Sequence, residues 1–378
     1  MPSAVHTLVQ QMHDAPGMVA LVTAGAGTQS LAWLLGVAGA SRTLLEAHVP
    51  YSKTAFDGYI GRPPEKYVSA EAARLLAGNA LRRARTLRPS DTTPIIGLAC
   101  TATIVTDRPK KGEHRACVAA WSETAVISHE LVLAKGLRDR DGEEEVVSRL
   151  ILNTLAEVMG MAERLPLPLL AQEVVEREVV DLAGSVGRVL AGQAEFVGVY
   201  ADGRVREAGI RPQVLLSGSF NPLHAGHEGL AQVAADLLGK PVALELAVIN
   251  ADKPPLALEV ALGRLAQMAG RWPVYLTRSA TFLEKARLFP GVAFVVGHDT
   301  AVRLLAPRYY AKEEGGVTAV LDELRELGVR FVVAGRTNAE GVFHDAADLS
   351  IPIGYDSLFI PLPARKFRLD ISSTALRK

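Results

Sequence analysis

Two histidines three residues apart, His224 and His227, lie in the stretch LLSGSFNPLHAGHEGLAQVA, residues 215–234. An apolar segment leads in, a helical one leads out, and Gly218, Ser219 and Pro222 stand between them. That order describes a strand, a tight turn and a helix start. Small residues let a backbone approach a ligand closely, and the free N–H groups of a helix N-terminus favour phosphate. Imidazole donors beside them would stabilise charge building on a phosphate oxygen during in-line attack. An H-x-x-H pair alone is weak, because short motifs recur by chance on capping turns. Here the strand, the glycine turn, the proline and the helix agree. The combination points to a site for a nucleoside triphosphate.

The elements around this turn repeat as strand and helix. VLLSGSF is a strand and turn, and HEGLAQVAADLLG is a helix closed by Gly239. VALELAVIN is a strand, ALEVALGRLAQMAG a helix, and residues 273–277 are strand-like. GVAFVVG, LGVRFVVAG and SLFIPLP are further apolar, β-branched runs. Such runs between helices predict a parallel sheet covered on both faces.

The first part of the chain reads as a separate α/β domain. MVALVT (18–23) is a buried strand, followed by a glycine-rich turn and a short helix around SLAWLLGVAG. LLEAHVPY (44–51) is strand-like, and residues 69–87 form an amphipathic helix with Ser69 as N-cap. PIIGLAC, RACVAAW and TAVISHELVL are strands, the last two spaced for an antiparallel hairpin. A long helix over roughly 143–162 closes the domain near residue 165. LPLPLL is a connector, residues 171–192 read as helical, and FVGVYADGRVRE has a hairpin turn signal at Asp202-Gly203. The expected organisation is a domain over 1–165, a structured linker over 166–208 and a second domain over 209–378.

Composition supports two ordinary globular domains. The chain has 378 residues, 49% of them hydrophobic and 22% charged. Lys plus Arg equals Asp plus Glu at 41 each, so no bulk charge draws it to nucleic acid or an anionic membrane. Two cysteines, Cys100 and Cys117, make no disulfide framework and no Cys-x-x-Cys metal site. With no signal-peptide pattern and no apolar run of membrane-spanning length, a cytoplasmic location is expected. No dedicated metal ligands are expected, nucleic acid and membrane are not expected partners, and a homo-oligomer stays open. The basic loop RPKKGEHR (108–115) is read as a solvated face.

GSFNPLHAGH resembles the (G)xFxPxHxGH signature of the nucleotidylyltransferase superfamily. ISSTALR (371–377) resembles its second signature, ISSTxxR. Taken alone, the Ser-Ser-Thr run would be a plain N-cap. The resemblance implies a Rossmann-like, doubly wound fold for the second domain. It implies that Gly218, Ser219 and Phe220 form the nucleotide-binding turn and that His224 and His227 contact the phosphates of ATP. Ser372, Ser373, Thr374 and Arg377 would bind the same phosphates, Arg377 through its planar fork. Within the superfamily the chain is similar to nicotinamide-mononucleotide adenylyltransferases. VVGHDT (295–300) resembles their GxD element and would set Gly297 and Asp299 near a ribose. NADKPPL (250–256) would offer Lys253 as a phosphate contact, with a solvated loop lysine as the plain alternative. Thr281 and Phe282 match a position near the base, and Trp272 is read as packing rather than stacking. The implied substrates are ATP, with Mg²⁺ riding on its phosphates, and nicotinamide or nicotinate mononucleotide. A cytidylyltransferase, another adenylyltransferase or a non-catalytic nucleotide-binding scaffold are the alternatives. The chain ends at Lys378, one residue past Arg377, where relatives continue the helix.

Residues 15–165 resemble the CinA C-terminal domain, a nicotinamide-mononucleotide deamidase, as a three-layer α/β fold. That family opens on AESCTGG, whose serine is the nucleophile. AGAGTQS (24–30) places Ala26 at that position. The family's lysine falls on Phe56, with Lys53 nearby but out of register. An acyl-transfer site needs a nucleophile, a base and oxyanion donors. Two of the three are missing on this alignment, so the domain is expected to lack amidase activity. The hydroxyls of Thr28, Ser30, Thr101 and Thr103 are read as turn and cap groups.

Overall fold

Met18–Ala24 is apolar at every position but Thr23 and forms a covered interior strand, β1, in the computed structural model. The structure describes residues 1–108, 111–207, 211–250, 254–310, 315–338 and 341–365. The chain divides into two compact units. The first comprises Met1–Gly184, Tyr200–Arg204 and Leu265–Arg271; the second comprises Ser185–Val199, Val205–Arg264 and Trp272–Lys378.

The first unit is built on six strands: β1, β2 (Leu44–His48), β3 (Ile95–Thr103), β4 (His114–Ser122), β5 (Ala125–Leu133) and β6 (Val175–Asp181). Their order is β2-β1-β3-β4-β5-β6, parallel on both sides of β1 and antiparallel from β3 onward. Side chains alternate across the sheet as the two-residue period requires. On one face Gly97 lies so close to helix Ala70–Leu87 that a Cβ there would stand 2.0 Å from the Ala77 carbonyl oxygen. On the other, Leu98 and Cys100 join an apolar core with helices Ser3–Asp14, Thr28–Gly36 and Arg140–Val158. Ser69 caps helix Ala70–Leu87 by accepting from the Ala72 N–H.

Residues 171–192, expected to be helical, split into β6 and helix Leu182–Leu190. The ladder with β5 decides this: the charged run Val-Glu-Arg-Glu gains a full antiparallel partner at the sheet's edge. Charged residues suit an edge strand, because they discourage further pairing. Helix Lys53–Ile60, absent from the sequence reading, is bounded by Ser52 as N-cap and Gly61 as left-handed C-cap.

The second unit contains β7 (Phe196–Val199), β8 (Val205–Arg206), β9 (Val214–Ser217), β10 (Val242–Ala247), β11 (Val274–Thr277), β12 (Ala293–Gly297) and β13 (Arg330–Ala334). A small hairpin, β14 (Arg336–Thr337) with β15 (Phe343–His344), and β16 (Phe359–Leu362) follow. The large sheet has the order β16-β13-β12-β9-β10-β11-β7-β8. From β16 to β11 every pairing is parallel. Numbered from β9, this is the 3-2-1-4-5-6 order of a doubly wound dinucleotide-binding sheet. The sheet is not parallel throughout: β7 adds antiparallel to β11 and carries β8 as a hairpin. Phe294, Phe331 and Phe359 stack across neighbouring strands, with ring centroids 5.5–5.7 Å apart, and fill one side of the core.

Both units are therefore α/β. Among the described residues, no helix is long and apolar enough to cross a membrane.

Candidate functional site

The chain leaves β9 toward β10 on one side and meets β12 on the other. Connections that diverge this way open a crevice at the carboxyl ends of the two strands. The turn after β9 enters that crevice. Its Asn221–Pro222 peptide is cis, and Phe220 adopts φ 44° with its ring fully buried. A left-handed backbone costs a non-glycine residue roughly 1–2 kcal/mol. Burial of the ring offsets this. Gly218 makes the arrangement fit, because a Cβ there would stand 2.9 Å from the Phe220 ring.

His224 is the N-cap of helix Ala225–Leu238, and its Nδ1 accepts from the Gly226 N–H at 3.1 Å. An accepting Nδ1 puts the neutral ring's proton on Nε2, which becomes a fixed donor. His227 stacks on His224 with ring centroids 3.8 Å apart, and Phe220 meets it edge-on at 5.0 Å. Burial lowers the pKa of both rings; His227, with a further push from His224, falls to about 4. Both imidazoles are thus neutral near pH 7. Among the described residues, the buried His227 Nδ1 has no hydrogen-bond partner. Such an atom costs stability when unmet, and a polar ligand can meet it.

A cavity of about 630 Å³ lies against the turn. Gly218, Ser219, Asn221, Asn250, Thr281 and Phe282 line it, together with Arg264, Arg303, Glu245 and Lys285. Arg264 donates to the Ser219 carbonyl at 3.1 Å, which holds its guanidinium against the turn. Lys285 donates to Glu245 at 2.8 Å, and the other oxygen of Glu245 accepts from the Thr277 hydroxyl. Both charged side chains are nearly fully buried. The sequence reading missed this pair. Its signals were a glutamate inside the apolar strand run VALELA and a lysine on a short helix's inner face.

The structure brings Gly218, Ser219, Phe220, His224 and His227 together on one turn, with Thr281 and Phe282 at the same cavity. The two histidines start the helix beside the cavity rather than lining it. Gly297 ends β12 as N-cap of helix His298–Leu304. Asp299 is exposed and paired with Arg336; Thr300 and Arg303 of its helix, not Asp299, reach the cavity wall. Trp272 donates to Glu228 at 3.3 Å and does not line the cavity, in keeping with a packing role. Lys253, Ser372, Ser373, Thr374 and Arg377 lie outside the described residues. Among the described residues, no group of three or more His, Cys, Asp or Glu side chains is placed to hold a metal ion.

The first unit has its own strand, glycine turn and helix start at Ala24–Thr28. Ala26 is buried there at 2% exposure, so the position expected for a nucleophile is an inert methyl. The helix N-terminus is already filled. Glu144 accepts from the Gly27 N–H at 2.9 Å, the Gln29 N–H at 3.0 Å and the Thr28 hydroxyl at 3.2 Å. The Ser30 hydroxyl is spent on the Gly27 carbonyl at 2.6 Å, and Thr101 on the Tyr67 carbonyl at 2.7 Å. Phe56 is buried, with its ring edge-on to Tyr67, and Lys53 lies 5.5 Å from that same tyrosine ring.

No family model matches the chain. No curated protein matches it either. Solved structures similar to part of it include the competence/damage-inducible protein CihA from Agrobacterium tumefaciens. That match is 19% identical, covers 43% of this chain and 98% of that one, and has a TM-score of 0.35. A competence or damage-inducible protein from Enterobacter asburiae is 15% identical over 42% of this chain and 98% of its own, with a TM-score of 0.34. A CinA-superfamily protein from Enterobacter cloacae is 15% identical over 41% of this chain and 90% of its own, with a TM-score of 0.32.

Proposed function

We propose that the second unit is a nucleotidylyltransferase that moves AMP from ATP to nicotinamide or nicotinate mononucleotide. The reading rests chiefly on the donor set after β9. His224 presents a fixed Nε2–H, His227 stacks behind it, and both stand at the switch point of a dinucleotide-type sheet. In the reaction, a 5′-phosphate oxygen of the mononucleotide attacks the α-phosphorus of ATP. The bond from the α-phosphorus to the bridging oxygen breaks, and pyrophosphate leaves with that electron pair. No protein base is required, because the attacking phosphate is already ionised. Catalysis is positioning and charge stabilisation. Neutral imidazoles donate to the α-phosphate oxygens as charge grows there, and Arg264 and Arg303 supply positive charge at the cavity. Mg²⁺ enters as part of the ATP substrate. Ser372, Ser373, Thr374 and Arg377, with Lys253, complete the phosphate contacts in this proposal.

The first unit, in this proposal, is a CinA C-terminal-type domain without amidase chemistry. Ala26 offers no nucleophile, Phe56 offers no base, and Glu144 occupies the helix-terminal donors.

Pyrophosphate release tests the substrate assignment. The full chain is incubated with MgATP or MgCTP and each of a panel of phosphate-bearing acceptors. Release with ATP and a pyridine mononucleotide supports the proposal. Release only with CTP, or only with another acceptor, replaces the substrates. ATP binding without release from any acceptor contradicts it.

A further inference from the structure

The Lys285–Glu245 pair is unusual as a cavity wall. Lys285 is 6% exposed and Glu245 is fully buried, yet both line the 630 Å³ space. Both carboxylate oxygens of Glu245 are engaged, one by Lys285 and one by Thr277. Among the described residues, Glu245 is the only hydrogen-bond acceptor of the Lys285 ammonium. The ammonium also lies 4.8 Å from the centre of the Phe282 ring, which covers another side of it. A lysine has three N–H donors. Donors therefore remain for a group inside the cavity.

We infer that Lys285 is the specificity residue of this cavity and donates to a neutral carbonyl-type oxygen on the acceptor's base, favouring a carboxamide over a carboxylate. The inference rests on the proposed transfer to a pyridine mononucleotide. Lys285 and Glu245 together carry no net charge, whereas Arg264 and Arg303 in the same wall supply the positive charge a phosphate needs. A carboxylate brought to the Lys285 ammonium would lose its water and lie close to the Glu245 carboxylate. The desolvation is costly and the neighbour repels it. A neutral amide oxygen takes the same hydrogen bond with a much smaller desolvation cost and without the charge repulsion. Phe282 lines the same cavity and gives the flat base an apolar neighbour. Glu245 is then a positioning residue, fixing the ammonium toward the cavity through a bond that Thr277 braces from behind.

The test is the ratio of kcat/KM for nicotinamide mononucleotide to that for nicotinate mononucleotide, measured on the full chain with MgATP. The wild-type ratio is expected to favour the amide by about tenfold or more, the scale of one hydrogen bond to a charged group. Lys285→Met alone leaves a buried unpaired carboxylate and endangers the fold. The double variant Glu245→Gln/Lys285→Met removes both charges together, and its thermal transition is measured alongside. It is expected to stay folded, with the ratio falling to within about twofold of unity and the KM for ATP unchanged. A merely structural pair would change stability and leave the ratio as it was. Equal kcat/KM for the two mononucleotides in the wild type, an acid preference, or an unmoved ratio in the double variant overturns this inference alone. Absence of turnover with either mononucleotide overturns the parent reading and this inference with it.

Discussion

His224 and His227 stack at 3.8 Å between ring centroids, with 30° between their planes. Two imidazolium cations would not share that spacing without a strong penalty. Burial instead keeps both rings neutral, so each offers a neutral N–H donor rather than a charge. The cap bond to Gly226 selects which nitrogen of His224 donates. The helix start and the proposed transition-state contact are thus one piece of geometry.

His227→Ala is expected to lower kcat for nucleotidyl transfer about 100-fold or more, as removal of a directed oxyanion donor does. His224→Ala should do the same and also lose roughly 1 kcal/mol of stability with the cap. His224→Asn separates the roles, because asparagine caps well but cannot reproduce the Nε2 donor. It should keep the thermal transition and lose the rate. Near-normal turnover in either alanine variant contradicts the assigned role.

Acid should weaken the fold through His227. Its pKa is lowered from the usual 6.5 to about 4, first by burial and then by His224. As pH falls, the unfolded chain takes up this proton before the folded one does. The stabilisation is therefore complete above about pH 6.5 and is lost progressively toward about pH 4. Thermal transitions measured across that window should slope less steeply in His227→Asn than in the wild type. Parallel slopes would show that His227 is not the group responsible.

Gly218→Ala should disturb the turn itself, since the new methyl would stand 2.9 Å from the Phe220 ring. Overpacking of this kind costs about 1–3 kcal/mol. Chemical denaturation should report that loss together with weaker ATP binding. A variant with full stability and unchanged ATP affinity would mean the ring moves freely, contrary to its complete burial.

Ammonia release from nicotinamide mononucleotide should stay at background for the full chain. Ala26→Ser alone should not restore it, because Glu144 still holds the Gly27 and Gln29 N–H groups. Release above background by the wild type would refute the assignment of the first unit as inactive.

Local signals were the legible ones. Ser69 before an amphipathic run, Gly239 after one, and the glycine-proline-histidine turn each announce an element within a few residues. Val175–Asp181 was misread because its charges and valines suit either structure, and only the distant ladder with β5 chooses the strand. Helix Lys53–Ile60 had legible caps in Ser52 and Gly61, but its eight residues are too short for a clear period. Glu245 and Lys285 lie 40 residues apart in sequence. Nothing local joins them; the order of β9, β10 and β11 does. Likewise, the carboxyl ends of β12 and β9 come side by side only because those two strands pair.

The most direct test follows the α-phosphate. ATP labelled there is mixed with Mg²⁺, nicotinamide mononucleotide and the full chain in molar excess over ATP, and a single turnover is resolved by chromatography. Label is expected to move into a dinucleotide as unlabelled pyrophosphate forms. Label that stays in ATP, while ATP is shown to be bound, would contradict the proposed transfer.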